Sequence, residues 1–470
     1  MMRVLVRKEF LALRRDARLL LLLAMFGLLF AAVLLQSRAA LTEAAQRKHA
    51  AQAQTRHQWD HQGDRHPHRG AHFGLYVFAP TSALASFDPG VTRWLGEALW
   101  LEPHRRNTMR FAEADSDVVS LRLGELSAAS LFANIMPLLV FALAFNAITQ
   151  EREGGTLRMA FGAGIRPRTL VASKLVAQVG APALACIGAV LALYLLSASG
   201  GDAEILQRCL GLLATLLAYC VILAAIGLTV SALARTGQQA LAVLLLVWIV
   251  FTLIVPRTAA ALAEAALPLP SSSQFWEAIK HDYENGLPGD GTLAERGARF
   301  DARLLSRYGV TRLEDVPAGA YALRRLERDA YADRVHAIHF ERLWARYREQ
   351  EHILRLAGLL SPTVALRLAT MKFTGTDLAH RRHFEESAER YRQYVNTAID
   401  RWDIVNSRGL RSFEDKYAGN AVWQSIRGFD YRPPGAAFAF GAARGDLALL
   451  AGWVLAAMLL LGACARKVRP

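Results

Sequence analysis

The chain has 470 residues, of which 53% are hydrophobic, and a formal net charge of +14. A nucleic-acid binder of that charge would gather its basic residues on one folded module, and no such module stands out here. Long apolar runs without charge exclude an ordinary soluble domain. A bilayer crossing takes about 20 such residues, and a lipid-exposed backbone must satisfy its own hydrogen bonds, as a helix does.

In chain order, residues 1–18 place Val4, Leu5, Phe10, Leu11 and Leu13 among arginines and Lys8. This predicts an amphipathic helix lying at the membrane surface. A first span follows at 19–37. No small-residue cleavage site follows it, so it is expected to stay in place rather than act as a removed signal. Residues 38–125 then form a first large segment. Its start is polar and helix-prone. Its later part is aromatic and broken by Pro80, Pro89, Gly90 and Pro103, which predicts extended chain with short strands. Between the two parts lie His57, His61, His66, His68 and His72. On a helix, His57 and His61 would sit one turn apart, a spacing that suits a divalent metal. Gly63, Pro67 and Gly70 break the stretch, so a solvated loop is expected, with no metal site.

The second span is placed at 126–149, and a short polar loop at 150–168. Spans three to five fall at 169–199, 205–233 and 237–256, with Pro137 and Pro182 as candidate kinks. Residues 257–445 form a second large segment, big enough for its own core. It begins with two breakers, "LPLPSSS" and "NGLPGDG". A helical run from 321 to 360 follows, interrupted by "SPTVALRLATMKFTGTD", and then a second helix from about 376 to 403. The pattern predicts a long helical hairpin with side pieces. The last span is 446–465, and 466–470 is a short tail. The four cysteines, Cys186, Cys209, Cys220 and Cys464, all lie in or beside apolar runs. The large segments therefore fold without disulfides.

Charge sets the expected orientation. The two termini, the 150–174 loop and Arg235 together carry fifteen basic residues against four acidic ones. Segment 38–125 has 11 against 10, and segment 257–446 has 28 against 25. This is the positive-inside pattern, with both termini in the cytoplasm and both large segments outside. No phosphate-binding loop is present: Gly154-Gly155 and Gly162-Ala163-Gly164 lack the following Lys-Ser/Thr. No nucleophile elbow or zinc-binding histidine pair appears either. The chain is therefore not expected to be an enzyme. The spans themselves hold no ionisable side chain by this reading, which argues against a proton-coupled carrier.

A family resemblance arises at "EREGGTL", followed by "GAGIRPRTLVASK" ending at Lys174. This resembles the cytoplasmic loop of type-2 ABC transporter permeases, where E-R-E-x-G-T-L follows the second span. "AHFGLYVFAP", "WLEPH", "AERYRQYVN" and "FDYRPP" resemble the subgroup with large extracytoplasmic insertions, so the likeness runs along nearly the whole chain. Lys372 departs from it, standing where the resembling pattern is more apolar. The resemblance implies an all-α membrane protein with six transmembrane helices and a mainly α-helical extracytoplasmic domain, in the bacterial inner membrane. It implies an exporter's permease subunit without catalytic residues, cofactor or metal of its own. Its partners would be two copies of a cytoplasmic ABC ATPase holding ATP and Mg, a second permease, identical or homologous, and membrane lipid, but no nucleic acid. The coupling residues would be Glu151, Arg152, Glu153, Gly154, Thr156, Leu157, Met159 and Phe161. The two glutamates would fix register on the ATPase, while Leu157, Met159 and Phe161 bury an apolar side in it. The alternative is a membrane-anchored scaffold that senses a ligand or metal and transports nothing.

The orientation has a direct check. Single cysteines at Ala50 and Ala330 should react with an impermeant thiol reagent in intact cells, and one at Thr156 should not. Labelling at Thr156 with Ala330 protected would reverse the topology.

Overall fold

The computed structural model describes residues 1–112, 126–197, 202–410 and 417–468. Six of its helices are long and apolar enough to cross a membrane. The chain opens with α1 (Met2–Arg15) and α2 (Ala17–Asp60), the latter running unbroken from the first span into the first large segment. There follow α3 (Pro67–His72) and two short antiparallel strands, β1 (Leu75–Phe78) and β2 (Ala98–Leu101), with Leu75 opposite Leu101. The second span ends in α4 (Met136–Ala144) and α5 (Thr149–Glu153), and α6 (Thr156–Gly162) lies beyond it. Spans three and four are α7 (Pro167–Ser197), which continues through Pro182, and α8 (Ala203–Leu233). The fifth is α9 (Gly237–Ile249) continued by α10 (Val255–Ala266). The second large segment holds α11 (Ser272–Asn285), α12 (Leu293–Tyr308), α13 (Ala320–Ala357), α14 (Pro362–Thr374) and α15 (Leu378–Asn406). The last span is α16 (Ala436–Ala465).

Spans two and five are each interrupted by a π turn, at Leu131–Ile135 and Val250–Ile254, and a proline explains each. Pro137 and Pro256 lack the N–H that would continue the ladder, so nearby carbonyls need other donors. Neighbouring side chains supply them. Tyr219 donates to the Ala133 carbonyl at 3.2 Å and Trp248 to that of Asn134 at 2.8 Å. Ser361, from the second large segment, donates to Phe251 at 2.7 Å. The prolines thus tie the spans to one another.

The expected helical hairpin is present as α13 packed on α15. The two large segments also share one core: Trp59, Leu75 and Val77 from the first pack with Phe384, Tyr391 and Trp423 from the second.

The stretch read as a mere interruption is a helix of its own, and it enters the bundle. Of the 13 residues of α14, 11 are buried, against α8 and α16. The Thr363 hydroxyl meets that of Tyr219 at 2.8 Å. The expectation of spans without ionisable groups needs correcting here. Lys372 is paired with Asp446 of the last span, and their side chains are 3% and 0% exposed. Glu351 reaches Lys372 at 2.8 Å, and Arg355 reaches Asp446 at 3.0 Å and Glu351 at 2.9 Å. Two cations and two anions balance, so no net charge is buried.

Removing one member of a buried pair leaves the other uncompensated, at about 3–5 kcal/mol, whereas replacing both can be nearly neutral. Lys372→Met or Asp446→Leu alone should therefore lower the melting temperature in detergent by several degrees. The double variant should melt above either single one. Additive losses would mean that the pair is not coupled.

Candidate functional site

The short-loop end of the bundle is built from the "EREGGTL" stretch upward. Gly155 has φ +73°, a left-handed conformation that glycine adopts without penalty. It lets the chain turn sharply between α5 and α6. The three residues before the turn bond to four different helices. Glu151 accepts from Lys174, two turns into α7, and from Lys8 of α1, both at 2.8 Å. Glu9 of α1 completes the cluster, 3.1 Å from Lys174 and 2.9 Å from Lys8. Arg152 donates to the Ala232 and Ala234 carbonyls at 2.9 and 2.5 Å, satisfying the C-terminal end of α8. Glu153 accepts from the Gly237 N–H at 3.0 Å, the first amide of α9, where an acidic group also suits the helix dipole. Above them, Ser231 Oγ accepts from the Ile148 N–H at 3.0 Å.

The charges expected to meet a partner are thus engaged with the chain's own helices. Leu157 is also turned inward, fully buried with Ile148, Leu170, Val171, Ala225 and Leu228. Phe161 is half-buried against the same cluster. Gly154, Thr156 and Met159 stay exposed, Met159 at 66%. The side of α6 that remains open carries Arg158 and Met159, and Gly162 and Gly164 extend it. Lys8 and Glu9 were missed in the sequence because nothing local links them to Glu151. Lys174, the last residue of the motif, was the available signal.

In the first large segment, the expected solvated loop is an ordered turn. His57 and His61 stack on the last turn of α2 with ring centroids 4.3 Å apart. Pro67 starts α3 instead of breaking it, and His66 caps it, accepting from the His68 N–H at 3.2 Å. His68 and His72 turn together toward His104, a residue the sequence reading did not single out. Burial pushes the His68 imidazole down to about 2, with Arg325 and the neighbouring histidines adding to the effect.

Residues 272–432, which fill most of the span between the fifth and sixth membrane helices, match the family model described as "Domain of unknown function (DUF3526)". No match to the chain is found among the curated proteins.

The Glu151 cluster predicts a graded outcome. Glu151 accepts two charged hydrogen bonds, and Lys174 beside it is 4% exposed. Losing hydrogen bonds to charged groups costs about 1.5–3 kcal/mol each. Glu151→Ala should destabilise the bundle by about 2 kcal/mol or more in detergent unfolding and loosen α1, so that trypsin cuts at Lys8. Glu153→Ala, at an exposed cap, should cost about 1 kcal/mol and leave Lys8 protected. Equal effects of the two would overturn this account of the cluster.

Proposed function

We propose that the chain is the permease subunit of an ATP-driven exporter in a bacterial inner membrane, with its termini and α6 in the cytoplasm. A separate ATPase, in two copies and loaded with ATP and Mg, docks on the bundle, and a second permease, identical or homologous, completes the transporter. The observation that carries this reading is α6: a short helix joined by one tight turn to three residues that bond to four other helices, with a small exposed patch around Met159. Such a helix has no slack. A push on it is passed through Arg152 to α8, through Glu153 to α9, and through Glu151 to α1 and α7. The resemblance of "EREGGTL" to the coupling loop of type-2 permeases and the positive charge of that side support the same reading. Glu151, Arg152, Glu153 and Leu157 then hold the coupling helix in place, while Arg158 and Met159 touch the ATPase.

The test is purification of the tagged chain from its native membrane in mild detergent. An ATPase chain should come with it and hydrolyse ATP in the presence of Mg. Burying a methionine contributes about 1.5–3 kcal/mol, so Met159→Asp should cut co-purification by about tenfold or more while the melting temperature stays unchanged. Absence of an ATP-hydrolysing partner, or full assembly of the Met159→Asp variant, would overturn the proposal.

A further inference from the structure

We infer that His68, His72 and His104 form a binding site for a divalent transition-metal ion. His72 Nε2 lies 3.2 Å from His68 Nε2, and His104 Nε2 lies 3.4 Å from the same atom. One ligand atom from each residue falls within 4.8 Å of the other two. A tetrahedral ion bound at 2.0–2.1 Å by imidazole nitrogens sets its ligands about 3.3–3.4 Å apart. The two short edges of the triangle already have that length.

Each ligand is held by structure that makes sense for this role. His68 and His72 are one helical turn apart on α3, so both rings leave the same face. That turn is pressed onto Trp423. A Cβ on Gly70 would come within 2.2 Å of the Trp423 ring. The Trp423 indole in turn donates to the Gly63 carbonyl at 2.9 Å. His104 comes from a different part of the chain, the loop after β2. Asn107 pins that loop, donating to the Trp100 carbonyl and to Glu102, both at 2.9 Å. His104 has φ +65°, one of two non-glycine residues with positive φ among those described. Strain of this kind, of order 1–3 kcal/mol, concentrates at functional positions.

Asp329 of α13 supplies the third element. Its carboxylate is hydrogen-bonded to His104 Nδ1. That contact fixes the proton on Nδ1 and leaves Nε2, the atom facing His68, with a free lone pair. A carboxylate behind a ligating imidazole orients it and raises its basicity. A plain chain of hydrogen-bonded imidazoles explains the contacts less well. In the neutral tautomer set by Asp329, His104 Nε2 is an acceptor only, so His68 Nε2 would have to donate to it while also serving His72.

The positive charge of Arg325 in the wall is partly offset, because its guanidinium is paired with Asp400 at 2.6 Å and Asp403 at 2.8 Å. The three imidazoles line a cavity of about 1120 Å³ between the first segment and helices α11 to α13, so a fourth ligand has room. Three neutral imidazoles select for zinc, copper or nickel over calcium or magnesium. The inference is independent of the transport reading, because it rests only on the large segments.

The experiment uses the full chain in detergent, stripped with a chelator and dialysed against Zn(II) alone. The wild type should retain one zinc per chain, gain melting temperature with it, and give a tetrahedral spectrum with Co(II). His72→Ala and His104→Ala should lose the stoichiometric zinc. Asp329→Asn should bind about 10–100-fold more weakly. His72 is exposed, so its variant should melt like the metal-free wild type, which separates lost binding from lost folding. The double variant His57→Ala with His61→Ala should bind normally. No stoichiometric zinc on the wild type, zinc retained by both His72→Ala and His104→Ala, or loss in the His57/His61 double variant would each overturn the site.

Discussion

The architecture depends on the ion pair between Lys372 and Asp446. It joins a helix of the second large segment to the last span, with both charges withdrawn from solvent. A buried pair contributes little net stability when intact, but it strongly penalises every arrangement that separates it. It therefore specifies position more than strength. With Lys372 held, α14 has one seat, between α8 and α16. The hydroxyls of Ser361 and Thr363 then meet the carbonyl and hydroxyl groups gathered around the two π turns. Since α13 and α15 leave directly from the two ends of α14, the large segments are fixed to the bundle and do not hang from it by flexible connections.

The opposite end of the bundle solves a related problem with different chemistry. There, Arg152 and Glu153 close the loose ends of neighbouring helices, whose terminal N–H and C=O groups have no partner within their own ladder, and Glu151 beside them pairs with two lysines. Both ends are thus held by polar groups in definite pairings, while the middle is held by apolar packing such as that of Leu212, Leu216 and Leu223. Packing of that kind tolerates small sliding. Paired charges and caps do not, so sliding one helix past another would first break the pairings at the two ends.

Much of this was legible in the sequence, and the misses have physical causes. The six spans and the two arms of the hairpin follow from apolar length and helical periodicity, which are local signals. The arms, read as 321–360 and 376–403, are Ala320–Ala357 and Leu378–Asn406. What local signals cannot give is which polar residue meets which. Glu151 and Lys8 are 143 positions apart, and Lys372 and Asp446 are 74 apart. Glu151 and Lys372 therefore looked like surface charges or departures from pattern. Pro67 was read as a breaker because proline ends helices more visibly than it starts them. Leu157 looked like a contact for a partner because its burial comes from α7 and α8, not from its own short helix.

The length of α2 has a mechanical consequence. Its 44 residues form one helix without proline, about 66 Å long at 1.5 Å per residue. It holds no proline to set a sharp kink, so its two ends are joined by one continuous ladder. Its membrane end carries Phe26 and Phe30 in the core of the bundle, and its far end carries Trp59 in the core shared by the large segments. A tilt of about 5° about the lower end would carry the tip some 6 Å on that length. That is one turn of a helix, enough to shift Trp59 and Trp423 past their neighbours. Any tilt of the first span would therefore be largest at the aromatic core that joins the two large segments.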